Sequence, residues 1–200
     1  YEINIGDWSS DVCSSDLRWL YRKLLPDEAS IDRFFSETGF DAWNARMDAG
    51  LSFAEGIAAQ SARFPQYRSL FEAFFERWSE AVGDVIPESL ELLQTLRKNG
   101  IRTYALTNFS SENYPLASQR FPFINDFDGS IVSGHEGVCK PDPAIYALLF
   151  ERYSITPERA VFIDDKPENV EAARRLGMHG IHFTDPQALP SALRALGLPV

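Results

Sequence analysis

Three short stretches hold side chains whose types and spacing suit work on an anionic group: Thr107-Asn108, Lys140 and Asp164-Asp165. In "TYALTN" a hydroxyl and an amide follow a β-prone run, and with the backbone N–H groups of the next turn they could hold an anionic oxygen. The same pair could instead cap the following helix. In "GVCKPDP", Pro141 keeps Lys140 out of helical geometry. A lysine held there could neutralise a phosphate or a carboxylate, or lie solvated on the surface. In "VFIDDKPEN", two carboxylates directly follow an apolar run. Buried carboxylates need a cation or backbone donors. Asp164 and Asp165 could hold Mg²⁺, a hard ion that takes one or two carboxylates plus water and substrate phosphate, or they could form a strand-end turn. Glu168 and Asn169 fit the first turn of the next helix.

The elements that must position these residues alternate. "IPESLELLQTLRKNG" predicts a helix, with Pro87 near its start and Gly100 as its stop. Strands follow at 101–107, 129–133, 160–163 and 180–183. Helices intervene at "PDPAIYALLFERY", capped by Asp142, and at "PENVEAARRLG", and "QALPSALRALG" closes the chain. This alternation predicts an α/β fold with a doubly wound parallel sheet, which binds ligands beyond the carboxyl ends of its strands. Before Gly83 the pattern is different. Phe34, Phe35, Trp43, Met47, Leu70, Phe71, Phe74, Phe75 and Trp78 recur at helical spacing, predicting four or five short helices and no strand.

Two hundred residues, 44% of them hydrophobic, suffice for one core with a helical insertion. The net charge of −10 argues against nucleic-acid or anionic-membrane surfaces. No apolar run is long enough to span a membrane, and there is no signal-peptide pattern. Cys13 and Cys139 make no disulfide framework, so a reducing, cytoplasmic setting is expected. The chain opens at Tyr1 rather than Met, so its natural start is expected upstream.

In this order and spacing, "TYALTN", "SGHEGVCKPDP" and "VFIDDKPEN" resemble the second, third and fourth motifs of the haloacid dehalogenase-like (HAD) hydrolases. The chain is similar in particular to their phosphatase-type members with a small helical cap. The resemblance implies a Rossmann-like core at 84–200 and a cap at 18–83. It implies that Thr107 and Asn108 bind a phosphoryl group and that Lys140 stabilises charge around nucleophile and phosphate. Asp165 would ligate Mg²⁺ directly, with Asp164 its neighbour in the metal site. A small phosphorylated metabolite is the expected partner, and a monomer the expected state. In the cap, Trp43, Asn44 and Asp48 are candidates to face the substrate, or to serve the core and surface.

The family's nucleophile is an aspartate at the end of the first, central strand, in an Asp-x-Asp or Asp-x-Gly pattern. Here the matching stretch reads "YEINIGDWSSDVCSSDLRWLY", without that pattern. Asn4 interrupts the apolar run, so the first core strand is expected to be missing or degraded. Asp7–Leu17 coincides with the translation of a sequencing-library adapter, and residues 1–17 are read as non-native. The expectation is a Mg²⁺-dependent phosphatase of small phosphate monoesters whose nucleophile is absent from this chain, leaving it inactive. A 2-haloacid dehalogenase-type hydrolase and a non-enzymatic binding or regulatory module are the alternatives. Paired metal-site carboxylates speak against the first, and the persistence of the other motif residues against the second.

Overall fold

The computed structural model describes residues 2–5 and 12–200. Strand β1 (Glu2–Ile5) lies at the centre of a five-stranded sheet. Its neighbours are β4 (Arg102–Thr107) and β6 (Ala160–Asp164), flanked by β5 (Gly129–Val132) and β7 (His179–His182), in the order β5-β4-β1-β6-β7. Every pairing is parallel. A strand thus stands where the sequence predicted one missing or degraded. Asn4 breaks the apolar pattern, yet the backbone hydrogen bonds of two neighbouring strands hold four residues in place.

All five residues of β6 and the last five of β4 are buried. Continuous apolar runs of this kind suit a sheet covered on both faces. Helices α6 (Pro87–Lys98), α9 (Pro143–Tyr153), α10 (Pro167–Arg175) and α11 (Leu189–Ala195) provide the cover. Asp142 caps α9 as its sequence suggests, accepting from Ala144 N at 2.9 Å. The shorter α7 (Tyr114–Arg120) and α8 (Ser133–Glu136) follow β4 and β5.

Between β1 and β4 lies a helical module. It comprises α1 (Leu17–Tyr21), α2 (Glu28–Thr38), α3 (Phe40–Asp48), α4 (Phe53–Arg63) and α5 (Arg68–Glu76). Gly39, at φ 62°, ends α2 and starts α3, a turn only glycine makes without strain. The turn brings the aromatic stripe together. Phe40 stacks on Phe35 at 4.5 Å between ring centres and meets Trp43 and Phe74 at 5.2 Å. Phe34, Phe40, Phe53 and Phe71 are almost completely buried, so aromatic rings fill this module, in one hydrophobic cluster with one face of the sheet.

A two-stranded antiparallel ribbon joins the helices to the sheet. It pairs β2 (Cys13–Ser15) with β3 (Val82–Val85). The sequence predicts no strand before Gly83. The tetrapeptide "VGDV" has weak β character, and its extended form comes from pairing with a segment far away in the chain.

Candidate active site

The parallel register sets three strand ends at one edge. Ile5 of β1 pairs with Ala105 and with Ile163, two residues before Thr107 and one before Asp164. Thr107 is fully buried at the end of β4, and Asp164 fully buried at the end of β6.

A polar network joins three of the predicted residues, Asn108, Lys140 and Asp164. Lys140 Nζ donates to Asp164 Oδ2 at 2.7 Å, and neither side chain reaches solvent. Asp164 Oδ1 accepts from Lys166 N at 2.9 Å and from Asn169 Nδ2 at 2.8 Å. A buried carboxylate beside a buried ammonium is tolerated only when its remaining oxygen is also hydrogen-bonded, and here it is. Asn108 fastens Lys140 from the other side. Its Nδ2 donates to Lys140 O at 3.0 Å, and its Oδ1 accepts from Lys140 N at 2.8 Å. Asn108 therefore braces the lysine loop rather than capping a helix; the next helix, α7, begins six residues later at Tyr114.

The sequence places Asn169 only in the first turn of a helix. It is 2% exposed and belongs to the network. Tyr146 donates from its hydroxyl to Asn169 O at 2.9 Å, and burial, followed by the nearby Asp164 charge, pushes its phenol far above the ordinary value. The hydroxyl keeps its proton and serves as a fixed donor. The signal for Asn169 was a lone amide among Val170, Ala172 and Ala173, the buried residues of α10. Cys139, next to Lys140, has its thiol pushed up by burial. That leaves it a poor nucleophile.

Asp165 and Asn108 open onto a cavity of about 210 Å³ between the sheet edge and the helical module. Asn44 and Asp48 of α3 line the same cavity, joined by a 3.2 Å hydrogen bond from Asn44 Nδ2 to Asp48 Oδ2. Trp43 does not share that position. It is 3% exposed and donates from Nε1 to Gly56 O at 3.0 Å, so it belongs to the aromatic core. Three ties fix the helical module above the cavity. Ser133 Oγ donates to Asp48 O at 2.5 Å and accepts from Phe109 N at 2.9 Å. Glu112 Oε1 accepts from Phe53 N, in the first turn of α4, at 2.7 Å. Arg120 donates to Ser79 O and, at 3.2 Å, to Gly83 O. Gly134 lets α8 approach, since a Cβ there would stand 2.4 Å from Ser111 N and 2.7 Å from Phe109 O.

The donor set fits Mg²⁺. Asp164 has both oxygens engaged within the chain, and Asp165 lines the cavity with a hard carboxylate. Among the described residues no group of three or more His, Cys, Asp or Glu could hold a metal. Mg²⁺ suits such a site, because it keeps several waters and takes substrate phosphate alongside one or two carboxylates. The expected nucleophile position and Asp7, two residues beyond Ile5, lie outside the described residues.

A sheet of this order, a lysine–aspartate pair at its carboxyl edge and a helical module above define a HAD-type hydrolase. The chain belongs to that family: residues 21–177 match the haloacid dehalogenase-like hydrolases. It is 36% identical over 148 residues to mouse (Mus musculus) acyl-CoA dehydrogenase family member 10, covering 72% of this chain and 13% of that protein. It is 34% identical over 105 residues to the sesquiterpene phosphatase astK of Aspergillus oryzae, covering 52% of this chain and 54% of that one. The chain thus spans about half, or much less, of these relatives. Among solved structures, a HAD family enzyme from Bacteroides thetaiotaomicron superposes with a TM-score of 0.71 at 21% identity, covering 88% of this chain and 90% of that one. A HAD-like hydrolase from Porphyromonas gingivalis gives 0.70 at 19%, covering 98% and 97%. Phosphatases are therefore among its relatives, and the fold is theirs. Among the described residues no helix is long and apolar enough to cross a membrane.

Proposed function

We propose that the site serves a Mg²⁺-dependent phosphatase of small phosphate monoesters, acting through an aspartyl-phosphate. The observation that carries this reading is the buried Lys140–Asp164 pair, with Asn108 bracing the lysine and Asp165 left to face the cavity. Thr107 and Asn108 bind the phosphoryl oxygens, and Lys140 holds positive charge beside them. Asp165, with Asp164 as its neighbour, would hold Mg²⁺, which when bound neutralises phosphate charge. In the complete reaction an aspartate oxygen bonds to phosphorus as the alcohol leaves, and water then releases orthophosphate. The B. thetaiotaomicron neighbour is described in complex with magnesium and inorganic phosphate, both as wild type and as a mutant.

Residues 18–83 act in this reading as the cap over a core of 84–200, completed by β1. Within residues 1–17 the adapter-like stretch Asp7–Leu17 is of non-native origin, and the chain lacks the nucleophile in the family's form. With its nucleophile in place the enzyme works as a monomer in the cytoplasm on a small phosphorylated metabolite, without nucleic acid or membrane. An aryl phosphate assay with Mg²⁺ tests this. The 200-residue chain should release almost no phosphate. Robust turnover abolished by Asp7→Asn would instead make Asp7 the nucleophile and the segment genuine. Robust turnover unaffected by a chelator would sink the Mg²⁺ reading.

A further inference from the structure

One cavity residue has no place in the motifs. Asn113 is 2% exposed and lines the cavity, and its Oδ1 is fully buried without a hydrogen-bond partner among the described residues. Its backbone N–H donates to Ser110 Oγ at 3.1 Å, which fixes the loop and leaves the amide head unused. A buried amide oxygen with no donor costs about 1–3 kcal/mol, and native proteins seldom keep one without a use. A ligand entering the cavity would supply that donor.

The remaining walls indicate what kind of ligand. Phe53 and Phe74 of the helical module, Trp78 just beyond it and Phe109 of the sheet edge line the same space, with Trp78 and Phe109 edge-on at 5.4 Å. The one charged side chain that α1–α5 bring to the lining is Asp48, an acid. No lysine or arginine of these helices is among the lining residues; the cation there, Lys166, stands beside Asp165 at the sheet edge, so a second anionic group reaching under the helices would meet a carboxylate and desolvating aromatic rings. At about 210 Å³ the space is smaller than the roughly 300–1,000 Å³ typical of pockets for drug-sized ligands.

We infer that the cavity takes the phosphate monoester of a compact, uncharged and mostly apolar alcohol, and that Asn113 reads a single hydroxyl on it. This rests on the phosphatase reading of the same site and narrows its substrate class. The inference can be tested by binding, without turnover. The 200-residue chain is titrated calorimetrically, with Mg²⁺, against orthophosphate, phenyl phosphate, 3- and 4-hydroxyphenyl phosphate and O-phosphoserine. Phenyl phosphate should bind at least about tenfold tighter than O-phosphoserine. The better hydroxyphenyl isomer should bind roughly fivefold or more tighter than phenyl phosphate, and Asn113→Leu should erase that ratio. The same variant should keep or raise the melting temperature, because it removes an unsatisfied polar atom; a lower melting temperature would mark Asn113 as structural and overturn its role. Equal affinity for phenyl phosphate and O-phosphoserine overturns the substrate class while leaving the phosphate site standing. Neither hydroxyphenyl isomer outbinding phenyl phosphate overturns the role of Asn113. Failure of orthophosphate and all four esters to bind overturns the phosphate site itself, and the inference with it.

Discussion

The floor and the roof of the cavity are built on opposite principles. The floor, at the ends of β4 and β6, is polar, and its side chains spend their hydrogen bonds on one another. Buried Lys140, Asp164 and Asn169 and half-buried Asn108 form one network. The roof is aromatic, and its shape comes from Phe40, Phe71 and Phe74 packing around Trp43. A network of charges fixes a geometry and tolerates few substitutions, whereas an aromatic wall can be reshaped at modest cost. Under the proposed function the floor would hold what all substrates share and the roof would tell them apart.

Breaking the floor should cost most. Lys140→Met leaves Asp164 buried without its cation and should destabilise the fold by about 3–5 kcal/mol in a urea titration. A loss under about 1 kcal/mol would mean that the pair does not lock the floor. Met47→Ala, in the fully buried roof, should cost roughly 2–5 kcal/mol. Should Met47→Ala clearly exceed Lys140→Met, the contrast between the two regions is reversed. Asn169→Ala removes one donor to Asp164 and should cost about 1–3 kcal/mol by the same titration.

The smallest effect lies at the base of the roof. Arg77, followed by Lys23, holds the Glu80 carboxyl down at about 2, against an ordinary 4.5. The sign follows from that depression: this contribution is present above about 4.5 and fades as pH falls through about 2. Arg77→Gln should move the Glu80 titration, followed by NMR, toward its ordinary value. Because the pair lies at the surface, stability at neutral pH should barely change. An unmoved titration would show that Arg77 does not set it.

The floor was legible in the sequence because its residues sit in short motifs at strand ends. Pro141 after Lys140 and the apolar run before Asp164 declare local geometry, and parallel pairing does the rest. Asn169 escaped because an amide is common in any first helical turn, and Ser133 because the sequence places it at the end of a strand at 129–133. Their roles depend on partners such as Asp164 and Asp48, which only the folded chain brings near. Trp43 was ambiguous for the same reason: helical spacing places it on an inner face without saying whether that face meets the cavity or the core. Strand β1 was obscured by Asn4, since its place is held by pairing on both edges rather than by its own apolar pattern.

The central claim is that Asp165 and the strand-end residues form a Mg²⁺-dependent phosphate site. Calorimetric titration of orthophosphate into the chain, with Mg²⁺ and again with a chelator, tests it in the wild type and in Asp165→Asn. The account predicts binding that weakens at least about tenfold when Mg²⁺ is removed or Asp165 is neutralised. Phosphate affinity unchanged by both the chelator and Asp165→Asn would contradict it.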